Sequence, residues 1–204
     1  DKKKSIAEDL SNLIYLYSVN NQFEKSISAG EEAIKLFKEI ESRRGVAFSQ
    51  SNLGKTYFYN IFNLDKALDY FNKSLSEFLQ LESKRMIIVS YEQIGNIQSL
   101  KGEYDEAIKN YNQSLEIAEK IEDLGSVAEL NCDLGIAYYD LDEFEVAKVH
   151  FMKSLNIMEE IDAREELIIL PTVYLQLLAK QIGERYNQSQ ILNLLSKVKF
   201  PDYL

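Results

Sequence analysis

The chain repeats itself about every 40 residues, and this internal repeat limits the possible folds more than any other feature of the sequence. Alanine recurs at a constant spacing of 40 residues, at Ala67, Ala107 and Ala147. An aromatic residue follows each alanine by four positions, as Phe71, Tyr111 and Phe151. A glycine precedes each alanine by 12 or 13 positions, as Gly54, Gly95 and Gly135. Self-similarity at such a period indicates a solenoid of stacked units.

The residues at the repeated positions resemble the tetratricopeptide pattern L-G-x-x-Y followed by A-x-x-x-F. Two copies match it fully, with Leu53-Gly54-x-x-Tyr57 in one and Leu134-Gly135-x-x-Tyr138 in the other. In a third copy, Gln98 replaces the tyrosine. Small residues are needed where two helices cross closely, and the aromatic residue fills the wider gap one turn away. The resemblance covers residues 5–160 most clearly.

The period is longer than the common ~34 residues of the family. The chain therefore resembles the long-repeat branch, which includes Pins/LGN-type adaptors, bacterial peptide-pheromone receptors and the tetratricopeptide arrays of bacterial sensor proteins. This resemblance implies an all-α fold, a right-handed solenoid of antiparallel helix pairs.

Apolar residues at helical spacing predict four helix pairs within residues 1–162, at about residues 3–41, 44–81, 84–121 and 124–160. The first pair is atypical, since Ile14 replaces the glycine and Ser26 replaces the alanine, as expected of a terminal repeat. We expect residues 163–204 to form a diverged fifth pair that acts as a C-terminal cap. Pro171 is expected to kink or start its first helix, and Asn187 to cap its last. The alternative is that residues 163–204 begin a linker to another domain.

The second pair contains one extra residue, because Gly54 and Ala67 are 13 positions apart whereas Gly95 and Ala107 are 12 apart. We expect the turn at residues 60–63 to hold this residue. Phe62 in that turn is interpreted as a packed loop residue, with an exposed contact point as the alternative.

The charge and the hydropathy of the chain exclude two classes of partner. A net charge of −10 and a pI near 4.8 argue against nucleic acid, whose phosphates require a basic surface. No apolar stretch approaches the ~20 residues of a membrane helix, and no signal peptide is recognisable. We therefore expect no membrane insertion and a cytoplasmic location. Because the sequence starts at Asp1 rather than at a methionine, we also expect it to be a fragment of a longer chain.

Catalysis has little support in the sequence. With a single histidine, neither a Ser-His-Asp triad nor a histidine-rich metal site is expected, and no glycine-rich phosphate loop is present. The one available nucleophile and base, Cys132 and His150, are interpreted as a half-buried thiol and a surface histidine on opposite sides of their helix pair. The chain is therefore predicted to be no enzyme, with no catalytic, metal or cofactor-binding residues and no cofactor.

The first helices of the pairs carry the candidate binding residues, because tetratricopeptide arrays line a concave groove with these helices. Two positions before each glycine, or before Ile14 in the first pair, stand Asn12, Asn52, Gln93 and Asp133. A carboxamide both donates and accepts hydrogen bonds, so a row of them can bind the backbone of an extended peptide. The alternative is that these side chains only satisfy the turns of the solenoid.

Neighbouring positions complete the predicted peptide-binding set, with Tyr15, Phe48, Lys55, Tyr59, Glu92, Asn96, Ile136, Tyr139 and Asp140. Apolar walls are expected from Phe48, Phe58, Tyr59 and Tyr139, and an acidic floor from Glu8, Glu92, Glu129, Asp133 and Asp140. Charge complementarity then favours a neutral-to-basic or amphipathic partner. The predicted function is a non-enzymatic scaffold that recognises an extended or amphipathic segment of a protein or peptide. The alternative is a regulatory or sensory segment of a larger signalling protein, of the peptide-pheromone receptor or sensor kinase type.

Overall fold

The computed structural model describes residues 2–183, with only the backbone of Glu165 and Glu166, and this part is helical without strands. A π-helix at Thr56–Asn60 continues the third α-helix. The α-helices are α1 Lys2–Val19, α2 Phe23–Glu39, α3 Arg43–Lys55, α4 Leu64–Gln80, α5 Lys84–Leu100, α6 Tyr104–Lys120, α7 Leu124–Asp140, α8 Phe144–Glu160 and α9 Glu165–Gln181. The predicted all-α fold of antiparallel helix pairs is confirmed.

The described part of the chain divides into two compact units, one up to residue 101 and the other from residue 102 onward. In the first unit consecutive helices from α1 to α5 pack on each other, and α1 also packs on α3. In the second unit consecutive helices from α6 to α9 pack on each other, and α7 also packs on α9. Contact between neighbouring helices and between alternate helices is the packing of a repeat solenoid.

The turns that follow the helices resemble each other, because each contains one residue in the left-handed backbone conformation. These residues have positive φ, and they are Asn21, Glu41, Phe62, Glu82, Gly102, Glu122, Asp142, Asp162 and Gly183. After most of them the following residue donates its N–H back to the last turn of the helix, as in the 2.8 Å bond from Ser42 N to Phe37 O. This closure leaves a short connection before the next helix.

The extra residue of the second pair lies in a helix and not in a turn, so the prediction of a longer turn at residues 60–63 was wrong. At the end of the π-helix, Ile61 N donates a 3.2 Å hydrogen bond to Thr56 O, five residues back. A π turn takes up one residue within a helix, and the connection to α4 keeps the length seen between α2 and α3. Phe62 is 68% exposed, so it is not a packed loop residue.

The glycine and aromatic positions of the repeat contact each other as the size argument predicts. A Cβ on Gly54 would lie 2.9 Å from the ring of Phe71, and one on Gly135 would lie 2.7 Å from the ring of Phe151. Both rings are completely buried. In the first pair the large and the small residue exchange places. A fully buried Ile14 occupies the glycine position, and Gly30 occupies the aromatic position.

The last described helix, α9, packs on α8 and α7. Its Leu178 is completely buried in a cluster with Cys132, Ala147 and Phe151. Pro171 is also buried and lies within α9, six residues after the helix begins, so it does not start the helix. The predicted last helix from Asn187 onward lies outside the described residues, and the C-terminal cap stays a prediction.

Candidate functional site

In the first unit, six of the predicted binding residues lie on neighbouring helices. Spacings of three, four and seven residues place them on one side of each helix, and α1 packs directly on α3. We call this surface the α1–α3 face, and it consists of Asn12, Tyr15, Phe48, Asn52, Lys55 and Tyr59. Two large aromatic side chains project from it, since Tyr15 is 66% and Tyr59 is 61% exposed. Asn12 and Lys55 are exposed, while Asn52 and Phe48 are half-buried.

The three carboxamides of the first unit are not equivalent. Gln93 on α5 is buried, and its Oε1 accepts a 2.7 Å hydrogen bond from the hydroxyl of Tyr59. Asn12 and Asn52 are accessible, and within residues 2–183 neither side chain makes a hydrogen bond. The donors and acceptors of Asn12 and Asn52 are thus available to a ligand, whereas Gln93 positions the side chain of Tyr59.

The π-helix sets the position of Tyr59. The Thr56 hydroxyl donates a 3.1 Å hydrogen bond to Asn52 O and lies 3.1 Å from the buried hydroxyl of Ser26 on α2. Ser18 at the end of α1 donates a hydrogen bond to Oδ1 of Asn60. The π turn is therefore tied to both helices of the first pair. The 13-residue spacing reveals the insertion in the sequence, but nothing there indicates that it lies beneath Tyr59.

The other predicted residues of the first unit lie on α5 or within the core. Glu92 and Asn96 are half-buried, and each interacts with another group of the protein. Phe58 does not form a groove wall as predicted, because it is buried. The reason is its position four residues after Gly54, which directs it to the same side of the helix as the glycine.

In the second unit, the predicted residues lie on α7 and combine packing with charge. Tyr139 packs edge-on against Tyr174 of α9, with ring centroids 5.2 Å apart. Ile136 packs against the buried cluster of Cys132, Ala147, Phe151 and Leu178. Asp140 is exposed and Asp133 is half-buried. Tyr139 and Ile136 thus stabilise the packing of α7, α8 and α9.

The folded protein disfavours the charged form of two carboxylates on α7. Desolvation by the surrounding protein raises the pKa of Glu129, and the negative charge of Asp123 raises it further. Desolvation also raises the pKa of Asp140. A cationic group bound beside these carboxylates would favour their ionised form.

Cys132 and His150 differ from their predicted surroundings. Cys132 is buried on the same side as Ala147 and Phe151, and burial raises the pKa of its thiol far above the usual range. His150 is half-buried rather than on the surface, because Asn131 Oδ1 lies 3.0 Å from its Nδ1 and Tyr138 stacks on its ring. Burial lowers the pKa of His150, and Lys153 lowers it further. A thiol with a raised pKa is a poor nucleophile.

Two further properties concern residues 2–183. No group of three or more histidine, cysteine, aspartate or glutamate side chains is arranged to hold a metal ion in this region. None of its helices combines the length and the apolar character that crossing a membrane requires.

Residues 86–160, from α5 to the end of α8, match the family model described as Tetratricopeptide repeat. The tetratricopeptide resemblance is confirmed. Proteins of this repeat fold serve in general as interaction scaffolds. A comparison with curated proteins finds no match to this sequence.

Solved structures of tetratricopeptide proteins are similar to almost the whole chain. The apo form of RapI is 21% identical, with a TM-score of 0.83 over 96% of this chain and 53% of that one. A STAND protein with a tetratricopeptide repeat sensor, from Pyrococcus horikoshii, is 17% identical, with a TM-score of 0.82 over 96% of this chain and 30% of that one. A Rap protein complexed with Competence and Sporulation Factor is 15% identical, with a TM-score of 0.72 over 94% of this chain and 52% of that one.

These likenesses show the fold. The chain spans 53% of the length of RapI and 30% of the length of the STAND protein.

Proposed function

We propose that this chain is a scaffold that binds an extended or amphipathic peptide segment of another protein, and that the α1–α3 face is its principal contact. One observation carries the proposal. Two exposed tyrosines, Tyr15 and Tyr59, stand on the same surface as the accessible carboxamides of Asn12 and Asn52, which make no hydrogen bond within the described part. Tyrosine supplies large contact area with a polar tip, and a free carboxamide pairs with a peptide backbone.

The charge of the chain favours a neutral-to-basic or amphipathic ligand. The net charge is −10, and the exposed part of α7 carries Glu129 and Asp140, whose pKa values are both raised. A basic residue beside these groups would relieve the cost of their ionisation. The same net charge disfavours nucleic acid as a partner.

The second candidate function is a regulatory or sensory segment of a larger signalling protein. It is favoured by similarity to a STAND protein with a tetratricopeptide repeat sensor and to a Rap protein complexed with Competence and Sporulation Factor. In this case the same surface would bind a peptide signal, and another domain would supply the output. The sequence of the full-length protein distinguishes the two functions, since an ATPase, a kinase or a DNA-binding domain would favour the second.

The experiment is a selection of short random peptides on the immobilised chain, followed by titration calorimetry with the best synthetic peptide. We expect the double variant Asn12→Ala/Asn52→Ala to bind it about tenfold more weakly, because each lost hydrogen bond costs about 0.5–1.5 kcal/mol. Asn72→Ala, an exposed change on α4, is the matched control and should leave binding unchanged. Equal affinity of the double variant and wild type for every selected peptide would disprove binding at the α1–α3 face.

A further inference from the structure

A cleft of about 540 Å³ opens in the first unit between the N-terminal halves of α1 and α3. Lys4 and Glu8 line it from α1, and Arg44, Gly45 and Phe48 line it from α3. Only two members of the predicted peptide-binding set, Asn12 and Phe48, belong to its lining. The cleft therefore adjoins the α1–α3 face, shares Asn12 and Phe48 with it, and lies nearer to the helix N-termini than Tyr15 and Tyr59.

Two aromatic rings form the floor of the cleft. A Cβ on Gly45 would lie 2.2 Å from the ring of Phe37, so the absence of a side chain there allows the ring to reach the cleft. Phe48 is held in place by Phe78, which it contacts edge-to-face at 5.3 Å between centroids. An apolar side chain that enters the cleft would meet a floor that is already in position, and this arrangement reduces the entropic cost of binding.

Among the described residues, Arg44 beside this floor is a cation without a counter-ion. Lys4 and Glu8 pair with each other, with Nζ and Oε1 3.9 Å apart. Arg43 pairs with Glu77 and also bonds to Gln80. The guanidinium of Arg44 lies 5.5 Å from the ring centroid of Phe48, and within residues 2–183 it makes neither an ion pair nor a hydrogen bond. The cleft therefore combines an apolar floor with an available guanidinium.

We propose that this cleft binds an aromatic or branched aliphatic side chain of a peptide, and that Arg44 binds the side-chain carboxylate of an adjacent aspartate or glutamate. A guanidinium holds a carboxylate through two parallel hydrogen bonds, which a lysine cannot reproduce. This inference rests on the proposed peptide-binding function and specifies part of its ligand. One acidic residue at this place is compatible with a peptide that is neutral or basic overall.

We infer that the bound residues lie within a peptide rather than at its end, because the exposed surface continues past the cleft. Tyr15 follows Glu8 by seven residues, and Lys55 follows Phe48 by seven, so each pair lies on one side of its helix two turns apart. The exposed surface of α1 and α3 thus continues beyond the cleft. A peptide whose apolar side chain fills the cleft has room to continue along both helices.

The test compares peptides selected on wild type with peptides selected on Arg44→Glu. Wild type should enrich peptides with an apolar residue next to aspartate or glutamate, and Arg44→Glu should enrich a basic residue at that place. In titrations with a synthetic wild-type-selected peptide, Arg44→Gln and an aspartate-to-asparagine change in the peptide should each weaken binding about tenfold or more. Applied together they should cost little more than either alone, because they remove the same interaction.

Arg43→Gln is the matched control, since it makes the same charge change at the adjacent residue, which lies outside the cleft lining. It should leave affinity unchanged, and circular dichroism should show equal helicity for all variants. If Asn12→Ala/Asn52→Ala weakens binding but Arg44→Gln does not, the cleft inference is wrong and the proposed function stands. If wild type enriches no peptides at all, both fail.

Discussion

The hydroxyl of Tyr59 donates a 2.7 Å hydrogen bond to the buried Oε1 of Gln93. The bond joins the π-helix after α3 to α5 and holds an exposed aromatic ring at a defined place on the α1–α3 face. It also satisfies a polar atom that has little access to water. Gln93, a predicted ligand contact by its position in the repeat, therefore acts through Tyr59.

Removing this hydroxyl should lower stability. Tyr59→Phe leaves the Gln93 oxygen buried without this partner, at a cost of about 1–3 kcal/mol in the free energy of unfolding. Tyr15→Phe removes the hydroxyl of another exposed ring, which makes no hydrogen bond within residues 2–183, and it should be neutral. Urea denaturation monitored by circular dichroism measures both, and equal midpoints for Tyr59→Phe and wild type would contradict the assigned role.

The glycines of α7 should respond differently to the same substitution. At Gly135 a Cβ would lie 2.7 Å from the ring of Phe151, so Gly135→Ala should overpack the helix pair at a cost of about 1–3 kcal/mol. At Gly125 a Cβ would lie 3.7 Å from an Asp123 oxygen, an ordinary contact distance, so Gly125→Ala should be neutral or slightly stabilising. Thermal denaturation of the two variants tests this difference. Similar melting temperatures would show that Gly135 has no special packing role.

The contact between α8 and α9 should depend on Leu178. Leu178 is completely buried with Phe151, and Leu178→Ala should cost about 2–5 kcal/mol through lost burial and the resulting cavity. Leu170→Ala, on the exposed side of the same helix, should cost much less. Chemical denaturation provides the measurement, and comparable losses in both variants would contradict the packing of α9 described above.

Acidification should destabilise the fold through His150. Burial lowers its pKa below the ordinary value of 6.5, so the unfolded chain binds a proton more readily than the folded one. The contribution of His150 to stability is fully present above pH 6.5 and declines as the pH falls below that value. Glu129 and Asp140 act in the opposite direction, since their raised pKa values favour the folded state on protonation. The difference in unfolding free energy between wild type and His150→Gln, measured against pH, isolates the histidine. A difference that does not vary with pH would contradict this assignment.

The charge on α7 should influence the binding of a basic peptide. Asp140→Lys should weaken it a few-fold at low salt, because exposed ion pairs contribute roughly 0.2–1 kcal/mol, and the effect should shrink as salt screens the charges. Glu145→Lys makes the same change at an exposed position on α8 and serves as the control. Titration calorimetry at two salt concentrations tests this, and equal effects of both variants would mean that only net charge matters.

The sequence by itself determined the fold, because the repeated pattern of small and large residues can be recognised without a structure. Gly54 and Gly135 recur with Phe71 and Phe151, and this pairing of a missing side chain with a ring requires two closely crossing helices. Periodic apolar residues then predict helices in antiparallel pairs, and the structure and the match of residues 86–160 agree. Each of these properties depends on local spacing alone.

Only the tertiary structure decided which repeated positions are accessible. Asn12 and Gln93 hold the same place in their repeats, yet Asn12 is exposed and Gln93 is buried against Tyr59. Cys132 likewise belongs to the core, because Phe151 and Leu178 come from other helices to surround it. Burial is a property of the neighbours that a position receives, and those neighbours are distant in sequence.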